Sequence, residues 1–256
     1  MVLSYADFAW GDAPLSGLTW PAATAVAYIA LSVGLAARVR TASGEAKPPA
    51  WLPFAVVAHN VVLVASSAAM FAGLAYELLA RARGAGTAQF VVCADPSAER
   101  PAGPMYFWAY TYYVSKYYEL LDTPLQLLRG KLPPNFGFQV YHHALVLVMG
   151  WAWLQYTPAL WQIGMLFNTA VHVVMYYYFL LCTLGKPPWW KRYVTRFQIL
   201  QFVTSLACFA WTTSLVVGGA ACAGYSALLW STGFNVTLLY QFVGIANKPA
   251  RPPKTE

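Results

Sequence analysis

The sequence predicts an all-α integral membrane protein in which seven transmembrane helices form a bundle, residues 1–256 making a single domain. Two observations carry that expectation. Of 256 residues, 59% are apolar and 10% charged, against about 45–50% and roughly 25% in soluble domains. The apolar residues also gather into segments close to the roughly 20 residues that a bilayer crossing needs. They are 18–39, 51–80, 105–128, 139–156, 159–181, 193–217 and 225–246, the fourth being the shortest. Connections are brief, and no repeat or low-complexity tract interrupts them. The first seventeen residues hold Asp7 and Asp12 without a basic stretch, so the first span is expected to act as its own insertion signal rather than a cleaved leader.

The cations set an expected orientation. With the N-terminus away from the cytosol, Arg38, Arg40, Lys47, Arg129, Lys131, Lys186, Lys191, Arg192, Arg196, Lys248, Arg251 and Lys254 fall on the cytosolic side, and Arg81, Arg83 and Arg100 on the other. The positive-inside rule therefore favours an N-out, C-in protein. The net charge of +7 is then a cytosolic surface property. It serves topology and anionic headgroups, or a polyphosphate ligand arriving from the cytosol; no nucleic-acid partner is expected. Cys93 and Cys222 both fall in non-cytosolic loops, where a disulfide persists, and are expected to be bonded. Cys182 and Cys208 read as small packing residues.

Polar residues then fall at one depth. Lys116, Glu119 and Asp122 recur every third residue, an arc of about 120° on one face of the third helix. The fourth helix opens with Gln139, His142 and His143 in "QVYHH". On the fifth, Asn168, His172, Met175, Tyr176 and Phe179 share one face, and the sixth repeats Thr195, Gln198 and Gln201 every three residues. Asn60 of the second helix reaches a comparable level. Taken singly, Asn60 and Gln201 read as interhelical glue, and His59 as a satisfied core residue. Taken together, a lysine, two carboxylates and three histidines inside a membrane mark a functional site.

Four histidines are too few for a histidine-box di-iron centre. A single metal on His142, His143 and His172 is disfavoured because adjacent helical residues diverge by about 100°, so no metal is expected. A thiol mechanism lacks a cysteine in the layer, Cys182 lying nearly three turns beyond His172. A retinal-type Schiff base would want a lysine on the last span, which has none. Histidine itself as base or nucleophile remains.

"SKYYELLDT", "QVYHH", "NTAVHVVMYYY" and "WWKRYVTRFQILQF", in this order across residues 60–202, resemble the motifs of the ELO family of very-long-chain fatty acid elongases. The resemblance implies a seven-helix enzyme around an acyl-chain tunnel that condenses a long-chain acyl-CoA with malonyl-CoA to 3-ketoacyl-CoA, CO2 and CoA. It implies no cofactor beyond these substrates, an endoplasmic reticulum location, association with the other enzymes of the elongation cycle, and compatibility with a homo-oligomer. His142 would hold the acyl group as an acyl-imidazole, or serve as base in a direct ternary reaction. His143 belongs to the same catalytic group. His172 and Asn168 would stabilise enolate or oxyanion charge, Asp122 would orient an imidazole, and Lys116 with Glu119 would support the site. Gln139, Tyr176, Thr195, Gln198 and Gln201 are candidates for substrate contact. Lys186, Lys191, Arg192 and Arg129 would meet CoA phosphates.

Three positions depart from the family pattern. Gln139 stands where most members have histidine, as in a subgroup acting on polyunsaturated chains; Phe179 replaces a usual tyrosine; Gln241 sits near a usual asparagine. The tail "PPKTE" offers Lys254 as a retention-like feature without its partner lysine. A seven-helix receptor or transporter is the alternative, although transporter sites tend toward the midplane and this layer lies near the cytosolic face.

One prediction concerns "NVT" at Asn235, a formal glycosylation triplet placed inside the last span. Asn235 is expected to carry no sugar. A glycosidase-sensitive mass shift mapped to it would remove the span.

Overall fold

The computed structural model describes residues 4–41, 48–130 and 132–247. Its regular structure is α1 (Thr19–Thr41), α2 (Leu52–Ala85), α3 (Pro104–Glu119), α4 (Asp122–Leu127), α5 (Phe136–Tyr156), α6 (Trp161–Thr183), α7 (Lys191–Val217) and α8 (Tyr225–Ala246), with single 3-10 turns at Trp10–Asp12 and Gln89–Val91. No strand occurs among the described residues beyond an isolated Ala9–Ala102 bridge. Lys47, Lys131, Lys248, Arg251, Lys254 and the "PPKTE" tail lie outside the described residues.

The all-helical class is as expected. Four helices, α1, α2, α6 and α7, are long and apolar enough to cross a membrane. Of the other three expected spans, α5 and α8 have the length but carry imidazoles, amides and hydroxyls, and the third is interrupted. Residues 105–128 do not form one helix. Regular structure stops at Glu119 and resumes at Asp122, with Leu120 and Leu121 still in helical conformation but bonded to Tyr117 and Tyr118 in shorter i−3 turns. Pro124 accounts for this: it has no N–H for the Leu120 carbonyl, and its ring crowds that oxygen. Lys116, Glu119 and Asp122 therefore do not share one continuous face.

Helix neighbours close into a ring. α3 packs on α2 and α5, α2 on α6, α6 on α7, α7 on α8, and α8 on α5, while α1 lies outside against α5 and α4. Exposed Val26, Ile29, Val33, Phe54, Phe71 and Tyr76 give the outer surface the apolar character that lipid requires.

One end of the ring is tied together. Cys93 and Cys222 form a disulfide. Around it, Leu160 N–H donates to Val91 O, Ala159 N–H to Ala223 O and Ala223 N–H to Ala94 O, at 2.9–3.0 Å, and Thr212 Oγ1 donates to Val92 O at 2.8 Å. The α2–α3, α5–α6 and α7–α8 connections are thereby joined. Residues of the N-terminal segment close over the same end, with Trp10 Nε1 donating to Gln155 and Trp151 Nε1 to the Ser16 carbonyl. The opposite end carries Arg129, Lys186, Lys191 and Arg192.

Gly224 sits in this knot with φ +57°, and a Cβ there would lie 2.6 Å from Pro158 Cα and closer still to the Tyr156 carbonyl oxygen. Backbone cannot yield as a flexible side chain does. Gly224→Ala is expected to destabilise the protein by about 2–4 kcal/mol, read as a lower midpoint of thermal unfolding in detergent. An unchanged midpoint would mean that the three connections are not rigidly joined.

Candidate functional site

Helices α2, α3 and α6 bury His59, Lys116, Glu119 and His172 at a common level towards the basic end. From α3, Lys116 and Glu119 are each 2% exposed, and Lys116 Nζ meets Glu119 Oε1 at 2.7 Å. The pair is enclosed by polar and aromatic partners. Lys116 Nζ also donates to Asn168 Oδ1 at 3.2 Å and lies 3.9 Å above the Tyr112 ring. Tyr112 Oη donates to the same Asn168 oxygen at 2.9 Å, and His172 Nδ1 stands 3.3 Å from Glu119 Oε1. Asn168 and His172 follow one another by a helical turn on α6, which brings both to α3.

Asp122 starts α4 beyond the break and faces a second group. His59 Nε2 lies 2.9 Å from its Oδ1 and Tyr176 Oη donates to its Oδ2 at 2.8 Å. His143 Nε2 is 3.8 Å from that oxygen, too far for a hydrogen bond. Next to Asp122, Thr123 Oγ1 is 2.6 Å from Tyr28 Oη of α1. The break thus divides the three acid–base residues of "SKYYELLDT" between two clusters. Glu119 addresses Lys116 and His172; Asp122 addresses His59, Tyr176 and His143.

His142 joins neither. Its ring centroid is 5.5 Å from that of His143 and 5.8 Å from that of Phe138, and its Nδ1 is buried without a partner. The imidazole instead lines a cavity of about 50 Å³ inside the ring, shared with Tyr112, Asn168, Gln201, Trp153 and Asn235. On α5 the lining positions 142, 146, 149, 150 and 153 form one helical face running towards the disulfide end. An imidazole whose Nδ1 has no hydrogen-bond partner and which faces a cavity is fitted to act as nucleophile or base.

The remaining sequence candidates separate by position. Gln198 Nε2 is 3.5 Å from Met175 Sδ, at the edge of the layer, while Thr195 and Gln139 are half-buried nearer the basic end. Lys186, Lys191, Arg192 and Arg129 are exposed and outside both clusters, and the Arg192 guanidinium engages its neighbour Tyr193. No cluster of three or more His, Cys, Asp or Glu with metal-binding geometry occurs among the described residues.

Three residues were missed from sequence. His59 is no ordinary core histidine, since it holds Asp122, and its neighbour Asn60, buried at the same depth, was the available signal. Tyr112 carried no signal because aromatic residues crowd α3, and Tyr28 carried none because its partner Thr123 lies 95 positions away.

Residues 13–247 match the family model described as ELO: GNS1/SUR4 family. The chain belongs to the ELO family. Among curated relatives, it is 34% identical over 206 residues to "Fatty acid elongase sre1" of Dictyostelium discoideum, covering 79% of this chain and 73% of that one. "Fatty acid elongase A" of the same organism is 29% identical over 242 residues, covering 93% and 84%. "Very long chain fatty acid elongase 7" of Rattus norvegicus is 34% identical over 164 residues, covering 62% and 57%. Both clusters and the cavity of this ELO protein fall within the matched region.

Removing one member of the α3 pair leaves a buried charge unmatched. Lys116→Met is expected to destabilise the protein by about 3–5 kcal/mol, and Lys116→Met with Glu119→Gln by clearly less. Thermal unfolding of the single and double variants in detergent checks this. Equal losses in the two would mean that Lys116 is held by packing rather than by its carboxylate.

Proposed function

We propose that this chain is the condensing enzyme of a fatty acid elongation cycle, joining a long-chain acyl-CoA, polyunsaturated chains included, to malonyl-CoA. The observation that carries the reading is His142, its Nδ1 unpartnered, at the junction of a charged cluster and an internal cavity. Family membership supports the same reaction class.

A covalent route accounts for each group. His142 attacks the thioester carbonyl, the C–S bond breaks, and the imidazole proton leaves with the departing thiolate as CoA. Malonyl-CoA then loses CO2, and the electron pair of the broken C–C bond becomes an enolate. Its α-carbon attacks the acyl carbon, releasing the imidazole, which regains a proton. Overall one proton is taken up from water. His172 and Asn168, held by Glu119 and Lys116, would face developing oxyanion charge, while Asp122 would fix His59, Tyr176 and His143 nearby. Gln139, Thr195, Gln198 and Gln201 would contact substrate, and Lys186, Lys191, Arg192 and Arg129 would attract CoA phosphates.

The setting belongs to the same proposal. Seven crossings, counting α3 and α4 as one interrupted span, would leave the N-terminus and the disulfide end in the lumen of the endoplasmic reticulum and the basic end in the cytosol. The chain would work without cofactor or metal, beside the other enzymes of the cycle, alone or as a homo-oligomer.

With acyl-CoA alone, the purified protein should release free CoA and gain one acyl mass, and His142→Ala should do neither. Intact-protein mass spectrometry decides; condensation with malonyl-CoA but no adduct from acyl-CoA alone would favour a ternary mechanism with His142 as base. Asp122→Asn should lower kcat by about tenfold to a hundredfold with little change in KM, as expected for an interaction that acts mainly in the transition state. A raised KM at unchanged kcat would instead make Asp122 a substrate-binding residue.

A further inference from the structure

A second pocket, of about 470 Å³, lies at the disulfide end and shares no residue with the cavity beside His142. Its lining comes from the last turns of α2 (Glu77, Ala80, Arg81), the connection that follows (Ala98, Glu99, Arg100, Ala102) and the first residues of α3 (Pro104, Met105, Tyr106). The volume falls within the roughly 300–1,000 Å³ usual for small-molecule sites.

Part of this lining is a closed network. The Glu99 side chain is 3% exposed and receives both Arg81 Nη1 at 3.3 Å and Arg81 Nη2 at 2.7 Å. Tyr106 Oη donates to the same carboxylate, and the Arg81 guanidinium rests 4.2 Å above the Phe90 ring. The main chain around them is pinned to the N-terminal segment, with Trp10 N–H donating to Pro101 O at 3.0 Å and Gly103 N–H to Phe8 O at 2.8 Å. Two further charges are not matched in this way. Glu77 accepts from the Tyr5 hydroxyl and has no cation. Arg100 is exposed and makes no hydrogen bond or ion pair among the described residues. The four charges of the lining cancel, leaving one spare cation and one spare anion.

The depth of the pocket says what meets those two charges. From Leu52 to Tyr76, α2 holds no Asp, Glu, Lys or Arg, and Glu77 is its first. At 1.5 Å per residue Glu77 lies roughly 38 Å along the helix from Leu52, and the hydrocarbon layer is about 30 Å thick. Tyr76, 68% exposed, marks the interface, where tyrosine is favoured. Leu79 beside it is also exposed. Ala80 of the lining stands one turn beyond Tyr76, so the pocket adjoins the lipid-facing stripe of α2 at headgroup level.

A ligand of net charge would leave either Glu77 or Arg100 facing a like charge. A zwitterion satisfies both: a phosphate on Arg100, with the positive start of α3 in the same lining, and an ammonium on Glu77. The ammonium is further defined. A quaternary ammonium has no N–H and is held by aromatic faces, whereas Tyr106 is the one aromatic residue of the lining. A primary ammonium donates to a carboxylate.

We propose that this pocket binds the phosphoethanolamine headgroup of a bilayer lipid, with its phosphate on Arg100 and its ammonium on Glu77, in preference to phosphocholine or to an anionic headgroup. The proposal requires that α2 crosses the bilayer, for which it is long and apolar enough; it does not require that the chain condense acyl-CoA.

The test uses the full chain purified in non-ionic detergent, with dioleoyl phosphatidylethanolamine, phosphatidylcholine and phosphatidylglycerol added at equal mole fraction and bound lipid counted by native mass spectrometry. One phosphatidylethanolamine is expected to be retained, about fivefold to tenfold over either competitor, as a hydrogen bond to a charged group implies. Glu77→Gln should bring phosphatidylethanolamine down to the level of phosphatidylcholine. Arg100→Gln should weaken both and leave their ratio standing, since both carry the phosphate. Equal retention of the three lipids by the wild-type protein overturns the site, whether or not the variants fold. A preference that survives Glu77→Gln overturns it too, because general solvation of the apolar surface would then be the cause. Displacement of the lipid by an equal concentration of glycerophosphoethanolamine, which has no acyl chains, would overturn the bilayer as the source. Condensing activity enters none of these readings, so this site and the proposed reaction stand or fall separately.

Discussion

The Lys116–Glu119 pair is the constraint around which the rest of the site is arranged. Two charges removed from water lose several kcal/mol of hydration each, and their attraction offsets this only when the leftover donors and acceptors are also met. Lys116 can donate three hydrogen bonds and Glu119 can accept about four. Asn168, the Tyr112 ring and His172 meet part of that demand, and two of these three come from α6. α3 therefore cannot rotate or slide against α6 without exposing a charge to an apolar interior. Helix packing in lipid lacks a hydrophobic drive between helices, so a polar tie of this kind fixes register where apolar side chains alone would slip.

The break after Glu119 follows from the same economy of partners. Were α3 to continue regularly, Asp122 would fall one helical turn beyond Glu119, near the same imidazole and the same lysine, and two carboxylates would compete for them. Pro124 interrupts the i−4 ladder, and Asp122 instead takes His59 from α2 and Tyr176 from α6. Each carboxylate then orients a different imidazole. One short interruption of a helix produces two electrostatic environments within a few ångströms.

Much of this was legible in the sequence, and the boundary of legibility has physical causes. Depth is written in hydropathy, so the gathering of Lys116, Glu119, Asp122, His142, His143, Asn168 and His172 at one level could be read from span ends and helical rise. Angular position is not, because a three-residue spacing implies a common face only where the helix is unbroken. Pro124 was visible and marked the exception. His59 looked like an isolated core histidine because its partner lies 63 positions away, and no local pattern reports a pairing of that separation. The ring closure of α8 on α5 was likewise invisible. Apolar helices without strong moments do not announce which neighbours they choose. Seven crossings were expected, whereas length and apolarity alone qualify four. Of the three that fall short, one is interrupted at Leu120–Leu121 and the other two, α5 and α8, carry imidazoles, amides and hydroxyls within their length.

The two ends of the ring explain how a ligand with a charged head and an apolar tail would be oriented. At the disulfide end, three connections and the segment before α1 are bonded to one another, and the Trp153 indole packs against Gly164, where an added Cβ would lie 2.8 Å from that ring. At the other end Lys186, Lys191 and Arg192 are exposed, and among the described residues the chain between α6 and α7 makes no comparable set of backbone cross-connections. On the proposed reading, a polyanionic head would be held outside by charge while its tail entered the ring, and the junction of head and tail would come to rest at the level of His142. Reaching that level from the other direction would require opening a covalently closed end. On that reading, the asymmetry of the fold would select which part of the ligand meets the imidazole before any chemistry begins.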